Sequence, residues 1–134
     1  MREIKFRGIN NETGEFVYGW YTKLSEGIRR FDAIIQEDSD GVFERFYIHK
    51  PETIGQYTGL KDKNGVEIYE GDIVGGSYFC MSDKCEFKEV VVWDQESLMF
   101  YFKPIIGSRP DFMCGDYEII GNIHENPELL EKSQ

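Results

Sequence analysis

Turn-forming residues recur about every ten positions along this chain, and the runs between them change polarity with a period of two. That pattern constrains the fold more than any other feature, because alternation at successive residues places one set of side chains on each face of a strand. Ile4 and Phe6 alternate with Glu3, Lys5 and Arg7. Asn10-Asn11-Glu12-Thr13-Gly14 reads as a turn, and Glu15 to Leu24 then places Phe16, Tyr18, Trp20 and Leu24 on one face. This predicts a hairpin with an aromatic inner side. Further strands are expected at Ile28–Gln36 and Val42–Ile48, around the acidic turn Glu37-Asp38-Ser39-Asp40-Gly41.

His49-Lys50-Pro51-Glu52 is the expected joint, since Pro51 lacks an N–H and biases Lys50 toward extended backbone. The expected organisation is an N-terminal β region over 1–50 and a barrel domain over 51–134, with the alternative that both form one compact unit. Past the joint, Thr53–Tyr57 reads as extended and Asn64-Gly65 as a tight turn, because both residues tolerate positive φ. Glu67–Tyr69 reads as a short strand or a turn of helix, and Glu70-Gly71-Asp72 as the bend before a strand at Ile73-Val74. Later strands are expected at Glu89–Trp93, Met99–Phe102 and Tyr117–Ile123. The branched run Val90-Val91-Val92 suggests a central strand covered on both faces. Asn126-Pro127-Glu128-Leu129-Leu130 carries an N-cap, a proline at the first helical position and an early acid, which together predict a short terminal helix. Helices between the strands are missing, so a small barrel or sandwich is expected rather than a βαβ sheet.

The 134 residues are enough for one domain or two small β modules, and 40% hydrophobic with 15% aromatic content can offset chain entropy. The net charge of -10 is unevenly spread. Residues 1–50 hold 8 Lys/Arg against 9 Asp/Glu, and residues 51–134 hold 7 against 16. Binding to duplex DNA depends on cations that neutralise phosphates, so the second half is a poor surface for it. The N-terminal sequence has no apolar stretch long enough for a signal peptide, and no run is long enough to span a bilayer. A cytoplasmic protein with reduced thiols is therefore expected, with no membrane partner.

The segment from Thr53 through Gln56-Tyr57-Thr58-Gly59-Leu60-Lys61-Asp62-Lys63-Asn64-Gly65 to Glu67-Ile68-Tyr69-Glu70-Gly71-Asp72-Ile73-Val74 resembles the signature of YopX proteins, which are encoded by phages and prophages, mainly of Gram-positive bacteria. Arg2–Arg7 with Trp20, and Tyr117–Leu130, resemble the two ends of that family. The resemblance implies an SH3-like barrel in the C-terminal part, a phage origin and a bacterial host cell. It carries no catalytic residue with it. Read without homologues, the same block is turn chemistry: its glycines permit tight bends, and Asp62 and Asp72 can accept hydrogen bonds from turn N–H groups.

Several constellations invite chemistry. Cys80, Cys85 and Cys114 with His49 or His124 would number four zinc ligands, but no second paired motif accompanies the Cys80–Cys85 gap. Nothing local activates a thiol for Cys–His catalysis, and an Asp72–Asp116 acid–base pair is expected by chance among 25 acids. Gly75-Gly76-Ser77 follows a predicted strand but lacks the phosphate-loop lysine, so a loop or bulge is expected. Phe16, Tyr18 and Trp20 suit core packing better than base stacking, although Lys23, Arg29, Arg30 and Arg45 keep nucleic acid in view. The functional expectation is a noncatalytic accessory protein without cofactor or metal, binding a host or phage macromolecule. One form of it is acidic mimicry of DNA. The alternative is binding of single-stranded or structured nucleic acid through the N-terminal region, and exposed strands leave self-association open. The candidate binding residues are Trp20, Arg29, Arg30, Tyr57, Lys61, Asp62, Tyr69 and Asp72.

Overall fold

The computed structural model describes residues 3–110 and 116–131. Ten strands and two single 3₁₀ turns make up the secondary structure of these residues. The chain divides into two compact units, Met1–Tyr57 and Thr58–Gln134. The break falls within a strand, a few residues beyond the 3₁₀ turn Pro51–Thr53.

The first unit contains β1 (Phe6–Ile9), β2 (Phe16–Glu26), β3 (Arg29–Glu37), β4 (Phe43–Ile48) and the start of β5 (Gly55–Lys61). Their order across the antiparallel sheet is β4-β3-β2-β1-β5. Successive hairpins fix the register, with Trp20 opposite Ile35 and Ile35 opposite Arg45. Ala33, Ile34, Ile48 and Tyr57 are buried hydrophobic residues of this unit. The alternation of Phe16, Tyr18 and Trp20 is present, but these rings do not form an inner face. Tyr18 is 40% exposed and Trp20 52%. Period-two patterning identifies which residues share a face and leaves open which face is covered.

The second unit begins in β5, which lies beside β6 (Glu67–Tyr69). A four-stranded antiparallel sheet follows, made of β7 (Asp72–Cys80), β8 (Asp83–Asp94), β9 (Met99–Ile106) and β10 (Glu118–Asn122) in the order β10-β7-β8-β9. Its core joins Ile68, Val74, Phe87, Val91 and Tyr117. β8 is an interior strand, as its valine run suggests, with Val91 fully buried and Val92 half-buried.

Three expectations are corrected. Among the described residues both sheets are open, so the SH3-like barrel is not formed; β9 and β10 are the outer strands of their sheet. The terminal helix is one 3₁₀ turn, Pro127–Leu130, whose N-cap side chain makes no capping hydrogen bond. A single turn has no room to propagate the cooperative helical ladder. Gly75-Gly76-Ser77 lies inside β7 rather than in a loop or bulge. A Cβ on Gly76 would sit 2.7 Å from the ring of Phe87, its partner across the strands. Glycine there makes room for the Phe87 ring in the core. Cys80 and Cys85 stand in β7 and β8, beside the two-residue turn that joins those strands.

Candidate functional site

The central block folds back on itself through its carboxylates. Asp62 Oδ1 accepts hydrogen bonds from the N–H groups of Asn64 (2.9 Å) and Val66 (3.0 Å), and Oδ2 accepts one from Ile119 N–H (3.0 Å). One side chain thus closes the β5–β6 turn and attaches it to β10. Burial alone would push its carboxyl up, but the three N–H donors, with Lys63 nearby, outweigh that and hold it below its ordinary 3.8. Of the turn pair, only Gly65 adopts positive φ, at 82°. The side chain of Asp62 supplies the order that a turn with two left-handed residues would otherwise need. Asp72, 2% exposed, accepts a 2.7 Å hydrogen bond from Tyr69 N–H, and the Tyr69 hydroxyl donates to Glu67 Oε1 at 3.1 Å.

These contacts place the candidate residues of the block. Asp62, Tyr69 and Asp72 are buried and bonded within the fold, whereas Lys61 is exposed at the end of β5. Tyr57 belongs to the first unit, where it is buried with the Lys5 ammonium 5.8 Å from its ring centre. Asp72 is buried, whereas Asp116 is exposed. No group of three or more metal-ligating side chains occurs among the described residues. Cys114 lies outside them, so the four-ligand zinc set falls partly beyond the described structure.

The N-terminal candidates are separated by the register. Trp20 shares a cross-strand row with Ile35 and Arg45, and β3 then runs six residues from Ile35 to Arg29. At about 3.3 Å per residue that is roughly 20 Å. Arg29 projects from the same face as Trp20 at the far end of the hairpin, and Arg30 projects from the opposite face. Arg30 instead borders a cavity of about 200 Å³ with Asp32, Tyr47 and His49.

The register brings other residues to Trp20. Its ring lies 5.7 Å from that of Phe43, which is 56% exposed. Arg45 holds its guanidinium 5.5 Å from the Tyr47 ring, and Phe31 meets Tyr47 edge-on at 5.3 Å. Along β2, Phe16 and Tyr18 pair at 6.3 Å, and the buried Arg7 stacks 4.1 Å over Phe16. The result is one sheet face of half-exposed rings with arginines over them. Phe43 was not among the candidates. Its signal in the sequence is the alternation of Phe43, Arg45 and Tyr47 within β4, which becomes informative only once β4 is aligned with β3.

The second unit has its own arginine anchor. Arg109 Nε donates to the buried Glu89 at 2.9 Å, and its guanidinium lies 5.3 Å from the Phe102 ring and 5.0 Å from the Tyr117 ring. The Tyr78 hydroxyl donates to Ser108 carbonyl at 3.1 Å, so residues after β9 are held to the sheet. A groove of about 430 Å³ on that sheet is lined by Gly75, Ser77, Glu86, Lys88, Glu118 and Ile120, among others. Its charged groups, Glu86, Lys88 and Glu118, are of mixed sign.

These features define an all-β protein of two open antiparallel sheets, with an aromatic–arginine face on the first. The chain belongs to the YopX family: the family model described as YopX protein matches residues 5–131. It is also similar to protein EF1440 from Enterococcus faecalis, whose crystal structure superposes with a TM-score of 0.57 at 28% identity, covering 98% of this chain and 100% of that one. No curated protein matches. No helix among the described residues is long and apolar enough to cross a membrane.

Proposed function

We propose that this chain is a noncatalytic accessory protein of phage origin that binds a macromolecule in the cytoplasm of a bacterial host. The observation that carries this reading is the exposed Trp20–Phe43 pair beside Arg45 on the first sheet. Large rings left half in water cost hydrophobic free energy in the free protein, and aromatic residues with arginine are the side chains that most often dominate binding interfaces. The buried carboxylates of the central block serve its turns, which supports an architectural part for that block and a binding part for the aromatic face. Affinity capture from induced or infected cells, with the wild-type chain and the W20A/F43A double variant in parallel, tests the proposal. A saturable partner retained by the first and lost by the second is expected. Equal capture by both, or turnover of a substrate without any partner, would overturn it.

A second reading, single-stranded nucleic acid on the same face, is favoured by one geometric point: stacking platforms use rings presented along a strand with arginine beside them. Titration with single- and double-stranded oligonucleotides at low salt decides it. Binding on this face weakens with salt and with Trp20→Ala.

A further inference from the structure

The β7–β8 hairpin ends in a pair of thiols. Its register sets Cys80 opposite Asp83 and Tyr78 opposite Cys85. Residues two apart on a strand share a face, so Tyr78, Cys80, Asp83 and Cys85 project from one side and the two sulfurs are diagonal neighbours. Both thiols are free, Cys80 exposed and Cys85 half-buried. Burial, then the neighbouring Cys80, pushes the Cys85 thiol up. Two ligands fall short of a tetrahedral metal site, and the described residues add no third.

The turn between them is strained. Met81 and Ser82 both adopt left-handed backbone, with φ of 53° and 80°, where glycine or asparagine is usual. Met81 is 94% exposed and Phe79 76%, so the tip has little packing to hold its last rung.

We propose that Cys80 and Cys85 are a modification site, an intrachain disulfide formed by exchange with a small-molecule disulfide such as oxidised glutathione. This goes beyond the binding reading and does not depend on it. The exposed Cys80 thiolate attacks one sulfur of the oxidised glutathione and expels the other half as a thiolate. Cys85, after losing its proton to solvent, attacks the Cys80 sulfur of the mixed disulfide and releases the second glutathione. Two electrons pass from the dithiol to glutathione, and the two protons end on its thiols. Diagonal neighbours stand roughly 7–8 Å apart, whereas the Cα atoms of bridged cysteines are usually about 4.4–6.8 Å apart. Closure therefore pulls the terminal Cys80–Asp83 rung out of register and gives the strained turn a new backbone path.

The test uses the full chain, fully reduced and then equilibrated in glutathione buffers of rising disulfide fraction. Free thiols are expected to fall from three to one, with the intact protein two hydrogens lighter and peptide mapping showing a Cys80–Cys85 link. Cys114→Ser closes the same link, whereas Cys80→Ser and Cys85→Ser yield only glutathione adducts. Closure speeds up as pH rises through the thiol range, because the second step needs the Cys85 thiolate. A link that maps to Cys114, or a Cys80 adduct that persists without resolving, would overturn the proposal.

Discussion

The two units are built from the same material, antiparallel strands closed by short turns, yet the main aromatic cluster of each is placed differently. In the second, Phe87 and Tyr117 are buried among Ile68, Val74 and Val91, and a glycine opposite Phe87 makes space for its ring. In the first, Tyr18, Trp20 and Phe43 remain 40–56% exposed; Trp20 packs on Phe43, and Tyr18 on Phe16, which lies under Arg7. A ring buried in a complementary cavity contributes to stability, and a ring presented on a sheet face is available to something else. Charge follows the same division, since the acids concentrate in the second half of the chain.

The comparison can be broken most directly at Phe87. Phe87→Ala leaves a cavity in the tightest part of the second core and is expected to cost about 3–5 kcal/mol. Each unit contains one of the two tryptophans, Trp20 and Trp93, so urea unfolding followed in a Trp20→Phe background reports the loss through Trp93. A cost below about 1 kcal/mol would mean that this core is no better packed than the first sheet's face.

Next in size is Asp62→Ala, which removes the acceptor for three N–H groups and is expected to destabilise the second unit by about 2–3 kcal/mol. Because the carboxyl of Asp62 is held below its ordinary 3.8 in the fold, its contribution is complete above that pH and is lost as pH falls through the lowered value. Acid titration of stability through Trp93 should show this limb in wild type and a flatter one in Asp62→Asn.

A smaller effect is expected in the first unit. The Tyr21 hydroxyl donates a 2.5 Å hydrogen bond to Asp32 Oδ1, and that bond, with burial and the charge of Asp32, pushes the phenol up to about 12. A raised phenol pKa stabilises the fold fully below its ordinary 10.0, and the contribution disappears as pH climbs toward 12. Tyr21→Phe should remove that alkaline loss, measured through Trp20 in a Trp93→Phe background.

Smallest is Trp20→Ala, expected to change stability by no more than about 0.5 kcal/mol, as for a surface position, while abolishing partner capture. Thermal melts followed by circular dichroism check the first half. A large loss of stability would show that the aromatic face supports the first unit and is not reserved for a partner.

Much of the strand map is legible from the sequence because it depends on local causes. β2, β3 and β4 follow from alternation between turn signals, and Gly65 and Gly71 mark bends that use positive φ. Other elements escape a local reading because a distant partner decides them. Gly75 and Gly76 look like a loop locally, and only the ring of Phe87 across the hairpin explains them within a strand. Trp20, Arg29 and Arg30 look like one basic–aromatic patch, but the β2–β3 register sets them on different faces or at opposite ends.

Membership in the YopX family, the all-β class and the positions of most turns were settled by the order of residues alone, since φ preferences and period-two polarity act over a few neighbours. Which face of each strand meets a core, which sheets stay open, and which arginine stands beside Trp20 were settled only by strand pairing. Pairing joins residues far apart in the chain, and a shift of one position would exchange the two faces of a strand.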